Sequence, residues 1–560
     1  MMTPRHFALI AITLLAGTCA SQAQESEDLE GARFGSDDRN KTGPRYGASM
    51  GTVTVGDTQV YRLSMRPEIP LGKLGLAFDV ELFIDESGDF SSRGWSFGTA
   101  TETIDTILRK LYYVRYGQPG DELFVRVGAL DRVTLGYGLV IDGYRNTLDY
   151  PGLKKTGVHF QMKSVAGSSI GLEGMVNNLQ DLQQGGGLIG LRAFSRPMPK
   201  LEIGVTYVVD LDQYAGLLDR DDDGFPDAVD AFPEDRDLAL DNDGDGVADD
   251  LDGDDDNDGV IDIDAASGLP ADVIAGLRDL SAQSAGGFEV DEDVARRTPF
   301  NRDRVGRDPF GIAGIDVGYR LIDDEQLRLI AYGQLAVMID DDDALDPAAA
   351  DSQGVAPGNR KAEGFGIMAP GLWATFGPFD GRIEYRYFQD DFEAGYFDNL
   401  YELDRARIDV ASGLATPKDA QLQRGESLSG VFGRLTTDVL GLVEASVDYQ
   451  HLVGSENPRR QLHARGRVSP ALLEAIPRLS HASAYYQKNH IGSRLDEDGT
   501  LGSEDGFFES TEDTFYGYEV GAEMASGVAV VWDTRFLFER GADGRLKRRR
   551  IMAIETVFNF

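Results

Sequence analysis

From residue 51 onward, apolar and polar side chains alternate along the chain in short runs. Leu123, Val125 and Val127 alternate with Glu122, Phe124 and Arg126. Ile203, Val205 and Tyr207 alternate with Glu202, Gly204 and Thr206, and Ile383, Tyr385 and Tyr387 with Arg382, Glu384 and Arg386. Val443, Ala445, Val447 and Tyr449 share one side of a later run, and Val528, Val530, Trp532, Thr534, Phe536 and Phe538 one side of another. Side chains of an extended chain point alternately to opposite faces, so each run predicts a half-buried β-strand. The final run sets Met552, Ile554, Thr556, Phe558 and Phe560 on one side and Ala553, Glu555, Val557 and Asn559 on the other.

Alternation of this kind suits stacked soluble sheets as well as a barrel, and the connections separate the two. Tight ones fall at 196–200, 322–325, 377–381, 438–441 and 524–527. Long ones fall at 211–310, 340–363, 390–426, 488–514 and 541–550. Long and short follow one another almost throughout, as in transmembrane barrels with short turns at one rim and longer loops at the other. Soluble sandwiches have no reason to sort their loops in this way. The expected fold is therefore all-β, a transmembrane antiparallel β-barrel of about 18 strands, with roughly 16 to 20 allowed. Its first part spans 51–210 and its second 311–560. Two stretches stay open: 51–65 as a strand or an amino-terminal hairpin, and 131–144 as a strand or a loop folded inward. Short helical pieces fit at 101–110, 269–282 and 392–410, with no role assigned.

The ends refine this picture. Residues 1–23 read as a secretory signal: Arg5, an apolar stretch at 7–17 too short to cross a bilayer, and the small-x-small site Ser21-Gln22-Ala23. Cys19, the only cysteine, lies inside it, so the mature chain is expected to hold no disulfide. Residues 24–50 form an expected flexible segment. The carboxy-terminal run, alternating and ending on Phe560, resembles the closing strand of a Gram-negative outer-membrane β-barrel. That resemblance implies an outer-membrane location, contact with membrane lipid, and recognition by the barrel assembly machinery through this strand. A mean hydropathy of −0.28 is too polar for a helical membrane protein and acceptable for a barrel, half of whose strand residues avoid lipid. A net charge of −41 argues against nucleic acid as a partner and favours cations, or serves solubility alone.

The acid is concentrated where the strand series is interrupted, at 211–310. Asp219, Asp221, Asp223, Gly224, Asp227 and Asp230 are spaced D-x-D-x-D-G-x-x-D-x-x-D. Asp241, Asp243, Asp245, Gly246, Asp249 and Asp252 repeat the spacing, and Asp254, Asp256, Asp258, Gly259 and Asp262 repeat most of it, with Ala265 in the closing place. Calcium takes about six to eight oxygens, and carboxylates at alternate positions converge only if the chain turns sharply after them, which glycine permits. The backbone carbonyls of Phe225, Val247 and Val260 occupy the next ligand position. The repeats at 219–264 resemble thrombospondin type 3 repeats, which implies Ca2+ binding and little regular structure. A second acidic run, 340–343 with Asp346, lacks the spacing and reads as a solvated loop.

No catalytic constellation emerges. Gly185, Gly187 and Gly190 match G-x-G-x-x-G but open a strand, and the histidines have no metal-ligand spacing. Two functions are compatible with the sequence. One is a porin-like channel for small polar solutes or ions, its lumen lined by Arg382, Glu384, Arg386, Glu444, Asp448, His463, Arg465, Arg467, Asp533 and Arg535. The other is a surface adhesion barrel with a plugged lumen, in which the calcium module makes the contacts. The solute stays open.

Overall fold

The computed structural model describes residues 45–559 except 56–57, 85–89, 92–94, 96, 98–102, 104–105, 108–109, 131, 148–154, 234, 264–269, 285–287, 292–298, 325, 341–360, 411, 423–426, 455–457, 492–505, 526–527 and 541–544. The leader with Cys19, residue Phe560, Ala265 and the acidic run beyond Asp340 lie outside the described residues.

One antiparallel sheet of 22 strands accounts for most of the chain. Before the acidic insertion come β1 (Arg45–Val55), β2 (Thr58–Leu71), β3 (Leu74–Phe78), β4 (Val80–Ile84), β5 (Phe90–Ser91), β6 (Leu111–Tyr116), β7 (Leu123–Gly128), β8 (Gly157–Met162), β9 (Ile170–Val176), β10 (Leu188–Met198) and β11 (Leu201–Asp210). After it come β12 (Phe310–Asp323), β13 (Leu327–Asp340), β14 (Gly364–Phe376), β15 (Phe379–Asp390), β16 (Leu428–Val439), β17 (Val443–Val453), β18 (Arg459–Val468), β19 (Leu479–Ile491), β20 (Thr514–Ala525), β21 (Val528–Arg540) and β22 (Leu546–Asn559).

From β6 onward strands pair with their neighbours in sequence, β11 with β12 across the insertion, and β3 pairs with β6. The first strand pairs with the last, Gly47 opposite Asn559 through Val55 opposite Ile551. The sheet has 22 strands where about 18 were expected. Part of the difference is a break at the buried Asp79, which divides one line of strand into β3 and β4, both paired with β2.

Three expectations about boundaries change. Of 51–65, residues 51–55 belong to β1 and 58–65 to β2, which pair antiparallel, and β1 begins at Arg45, inside the stretch expected to be flexible. The expected linker 541–550 is strand from Leu546 onward, because Leu546–Arg550 pair with Phe536–Arg540; charge on a strand end does not prevent a ladder from forming. Of 392–410 only Tyr401–Asp404 is helical. The helix near 269–282 spans Ala271–Gln283, and 101–110 is too incompletely described to compare.

Burial along the strands is the reverse of a soluble sheet. On β11 the side chains of Ile203, Val205 and Tyr207 are exposed, while Thr206 and Asp210 are buried. On β12 Ile315, Val317 and Tyr319 are exposed and Asp316 is buried. On β15 Ile383 and Tyr385 are exposed, and Glu384 and Arg386 are buried. A contiguous apolar face this large, with ions on the opposite face, has no place in water.

What buries the polar face is the chain itself. The described residues of 130–146 lie against it as a loop, which resolves the open reading of 131–144: among them Ile141–Asp142 is extended and pairs with Phe397–Asp398, and Val133 bridges Tyr144. Leu130, Leu135, Leu139, Val140, Ile141 and Tyr144 pack with Met175 of β9, Leu188 of β10, Phe310 of β12, Met368 of β14 and Phe388 of β15. One short loop reaching strands so far apart requires the sheet to curl around it. Residues 391–422 join the same cluster through Phe392, Tyr396, Phe397 and Tyr401.

Candidate functional site

The ten residues expected to line a lumen all lie on the face opposite the exposed apolar side chains. They are paired rather than solvated singly. Arg386 grips Glu384 at 2.6 and 2.8 Å and reaches Gln450 at 2.6 Å, while Tyr332 donates to Glu384 at 2.6 Å. Arg434 meets Asp448 at 2.6 Å, His463 meets Asp448 at 3.2 Å, and Arg467 meets Glu444 at 2.7 Å. On the first half of the sheet Arg192 reaches Asp316, two strands away, at 2.5 and 2.8 Å. Gly204 on the strand between makes room: a Cβ there would meet Arg192 Nε and Asp316 Oδ2 at 2.5 Å each.

The inward loop adds the decisive acid. Asp142 accepts from Arg382 at 3.1 Å and from Arg434 at 2.8 Å, so two strands are bridged through a loop carboxylate. Burial pushes this carboxyl up, but the Arg434 and Arg382 guanidiniums outweigh it and hold it well below the usual carboxylate range. The same loop is pinned by Leu139 N–H donating to Gln334 at 3.1 Å, by Arg382 donating to Tyr137 O at 2.9 Å, and by Tyr137 stacking on Tyr332 at 4.3 Å. Between this loop, residues 394–399 and strands β15–β20 remains an open-mouthed cavity of about 110 Å³. Arg132, Arg145, Arg386, Arg434 and Arg465 line it together with Asp142, Asp398 and Asp448. Charges of both signs on a wet wall can pass or hold a small polar solute.

At the long-loop end a second network ties the loops together. Arg405 donates to Asp210 at 2.6 and 2.7 Å, to Asp181 at 2.9 Å and to the carbonyl of Asp212 at 3.0 Å, and is fully buried. Tyr401 donates to Asp210 at 2.6 Å. Glu402 accepts from Tyr144 and Lys155, and from Asn177 at 3.2 Å. Burial raises the Glu402 carboxyl, but Lys155 and Arg405 outweigh it and lower the group to about 2. Sequence reasoning missed these residues: Tyr401, Glu402 and Arg405 stand in a loop without periodicity, and Asp210 is one more polar residue at a strand end.

The acidic insertion begins beside this network. Arg302 holds Asp212 at 2.7 Å, and the Arg302 N–H donates to Gly224 O at 2.8 Å. In each repeat the first three acids converge. Carboxylate oxygens of Asp219, Asp221 and Asp223 lie within 4.8 Å of one another, as do those of Asp241, Asp243 and Asp245, and of Asp254, Asp256 and Asp258. The turn is made by Gly224, Gly246 and Gly259, with φ of 94°, 93° and 85°, where a side chain would be strained. Their N–H groups donate to the first Asp of each repeat at 3.0, 2.9 and 3.0 Å.

The later acids behave differently from the simplest expectation. Asp227, Asp249 and Asp262 accept from the backbone of Arg220, Asn242 and Asp255 at 3.0, 2.7 and 2.7 Å, closing each loop rather than joining its cluster. Asp252 accepts from the Asp254 N–H at 3.0 Å. The N–H groups of Phe225, Val247 and Val260 bond to Asp223, Asp245 and Asp258, at 2.7, 2.8 and 2.8 Å.

The donor set fits a hard cation. Asp230, 8% exposed, has one oxygen bonded to the Phe232 N–H at 2.7 Å, while its buried Oδ2 has no hydrogen-bond partner. Burial pushes Asp230 up to about 6 with help from Asp223, Asp221 and Asp227, against the Phe232 N–H. Burial likewise lifts Asp219 to about 6, with Asp222 and Asp223 adding to it against the N–H groups of Gly224 and Asp222. Carboxylates crowded in this way are short of positive charge.

No family model matches the chain, and no curated protein matches it in sequence. Among solved structures it is similar to OccK5 (OpdH) of Pseudomonas aeruginosa, at 7% identity over 92% of this chain and 98% of that one, with a TM-score of 0.31. It is also similar to OccK11 (OpdR) of the same organism, at 10% identity over 92% and 96%, with a TM-score of 0.30. The siderophore receptor PirA of Acinetobacter baumannii aligns at 9% identity over 93% and 81%, with a TM-score of 0.33. Likeness at this level leaves the function to be argued from the chain's own residues.

Proposed function

We propose that the sheet is a closed barrel in the outer membrane, acting as a non-enzymatic, porin-like channel for small polar solutes or ions. The observation that carries this reading is the pairing of β1 with β22 in a sheet whose outer face is apolar and whose opposite face is ionic. Closure removes the free edges of the first and last strands, which a bilayer demands. The exposed apolar residues then face lipid, and the cavity beside Asp142 is the narrow part of the path. Tight turns sit at the periplasmic rim, as in known barrels, and the long loops point outward. Single-channel recording in planar bilayers tests the reading: discrete conductance steps are expected, and a folded, inserted protein that never conducts would overturn the transport function.

The insertion is a calcium-binding loop module on the outward side, one ion in each of its three Asp clusters. Without cations the carboxylates repel one another, so ordering and binding are coupled. The secretory leader and the strand ending at Phe560 serve export and assembly in this reading.

A second reading has its own support. The loops at 130–146 and 391–422 fill much of the space over the ionic face, as a plugged adhesion barrel would require. In that case deleting 219–264 abolishes calcium-dependent attachment to cells or polysaccharide, and no conductance is seen.

A further inference from the structure

We propose that the outer face of β21 and β22, at the long-loop end, binds the phosphate of a lipid headgroup through Arg548 and Arg550. The inference rests on the reading that this sheet spans a membrane with its long loops outward.

Five basic residues, Arg545, Lys547, Arg548, Arg549 and Arg550, fall within six positions of a chain whose net charge is −41. Strand register sorts them. Arg550 stands opposite Phe536 and Arg548 opposite Phe538, while Ile554 stands opposite the exposed Trp532 further along the same face. Lys547 and Arg549 stand opposite Glu539 and Leu537, on the other face. Both Arg548 and Arg550 are exposed. Among the described residues neither pairs with a carboxylate, in contrast to the paired arginines of the ionic face.

Beneath them lies an aromatic shelf. Arg548 sits over the Phe536 ring at 5.0 Å, and Tyr516 contacts Phe536 at 4.8 Å and Phe538 at 6.1 Å. Tyr486 extends the shelf at 6.4 Å from Tyr516. Aromatic rings of this kind mark the boundary between hydrocarbon and headgroups. Guanidinium groups cannot stand in hydrocarbon without large cost, so from the level of the rings they extend towards the charged groups of lipids. A guanidinium pairs with phosphate oxygens through parallel N–H donors. A free phosphate ion would use the arginines alone, whereas a lipid also lays its chains on the shelf, and this favours the lipid.

The test uses the full-length folded protein reconstituted in phosphatidylcholine vesicles. The vesicles contain either a bisphosphorylated glycolipid or its dephosphorylated counterpart, and retained lipid is counted by native mass spectrometry. Wild type is expected to retain the phosphorylated glycolipid, and the R548Q/R550Q variant to bind it roughly thirtyfold more weakly. K547Q/R549Q, on the other face, should match wild type and shows that loss of charge alone is not the cause. Equal retention by wild type and R548Q/R550Q, equal retention of the dephosphorylated lipid, or displacement of the glycolipid by inorganic phosphate would each overturn the site. A protein that inserts yet retains neither lipid also overturns it. Failure to insert at all would sink the barrel reading, and the inference with it.

Discussion

Arg405 and Asp210 are 195 residues apart and meet in a two-point pair, Nε to Oδ2 at 2.6 Å and Nη2 to Oδ1 at 2.7 Å. Both are fully buried, so the pair anchors the 391–422 loop to the end of β11. Removing Arg405 strands the charges of Asp210 and Asp181, a change that typically costs roughly 3–5 kcal/mol. We expect Arg405→Ala to loosen that loop while leaving the sheet intact. Hydrogen exchange should rise across 391–422 and stay unchanged in β15 and β16; no change in the loop would contradict the anchoring role.

Glu402 gives the same anchor a dependence on pH. Its folded pKa is lowered to about 2, against an ordinary glutamate value of roughly 4.3. A lowered folded pKa contributes stability that is complete above the ordinary value and is lost as pH falls towards the lowered one. Loop protection should therefore be full at about pH 6 and decline between about pH 4 and 2. In Glu402→Gln that part of the decline should be absent. Hydrogen exchange measured across this range checks it, and an identical profile in the variant would discard Glu402 as the origin.

Asp142 sets the charge balance of the cavity. Asp142→Asn leaves Arg382 and Arg434 facing a neutral amide, so the cavity gains positive character. Reversal potentials under a salt gradient should shift towards anions relative to wild type. An unchanged reversal potential would mean that permeant ions do not pass this residue, and a shift towards cations would contradict the charge argument.

Calcium titration calorimetry of the folded protein should give three sites, one for each cluster of converging acids. Asp241→Asn should remove one site and leave the other two. Chelation should expose 219–262 to protease while the strands stay resistant. Full stoichiometry in the variant would show that the cluster around Asp241 is only a solvated loop.

The sequence made the strands visible because successive side chains of an extended chain face opposite sides of the sheet, one apolar and one ionic. Ile383, Tyr385, Glu384 and Arg386 could therefore be placed on their faces from the pattern alone. The convergence of Asp219, Asp221 and Asp223 was equally local, since a glycine turn brings near neighbours together. Contacts between distant segments left no such mark. Nothing in 131–144 announces that Asp142 will lie between Arg382 and Arg434, and nothing in 392–410 announces Arg405 as a hub. The basic residues at 546–550 were assigned to a linker because charge resembles a loop, while the ladder that pairs them with 536–540 leaves no local mark.

The insertion leaves the sheet at Asp210 and returns at Phe310, and these two residues stand directly opposite each other in the ladder. Whatever hangs there is joined to the sheet through two adjacent threads, and its size is not constrained by the strands on either side. The position is thus a socket: its cargo can be enlarged, exchanged or trimmed to a hairpin without shifting any neighbouring strand by one residue.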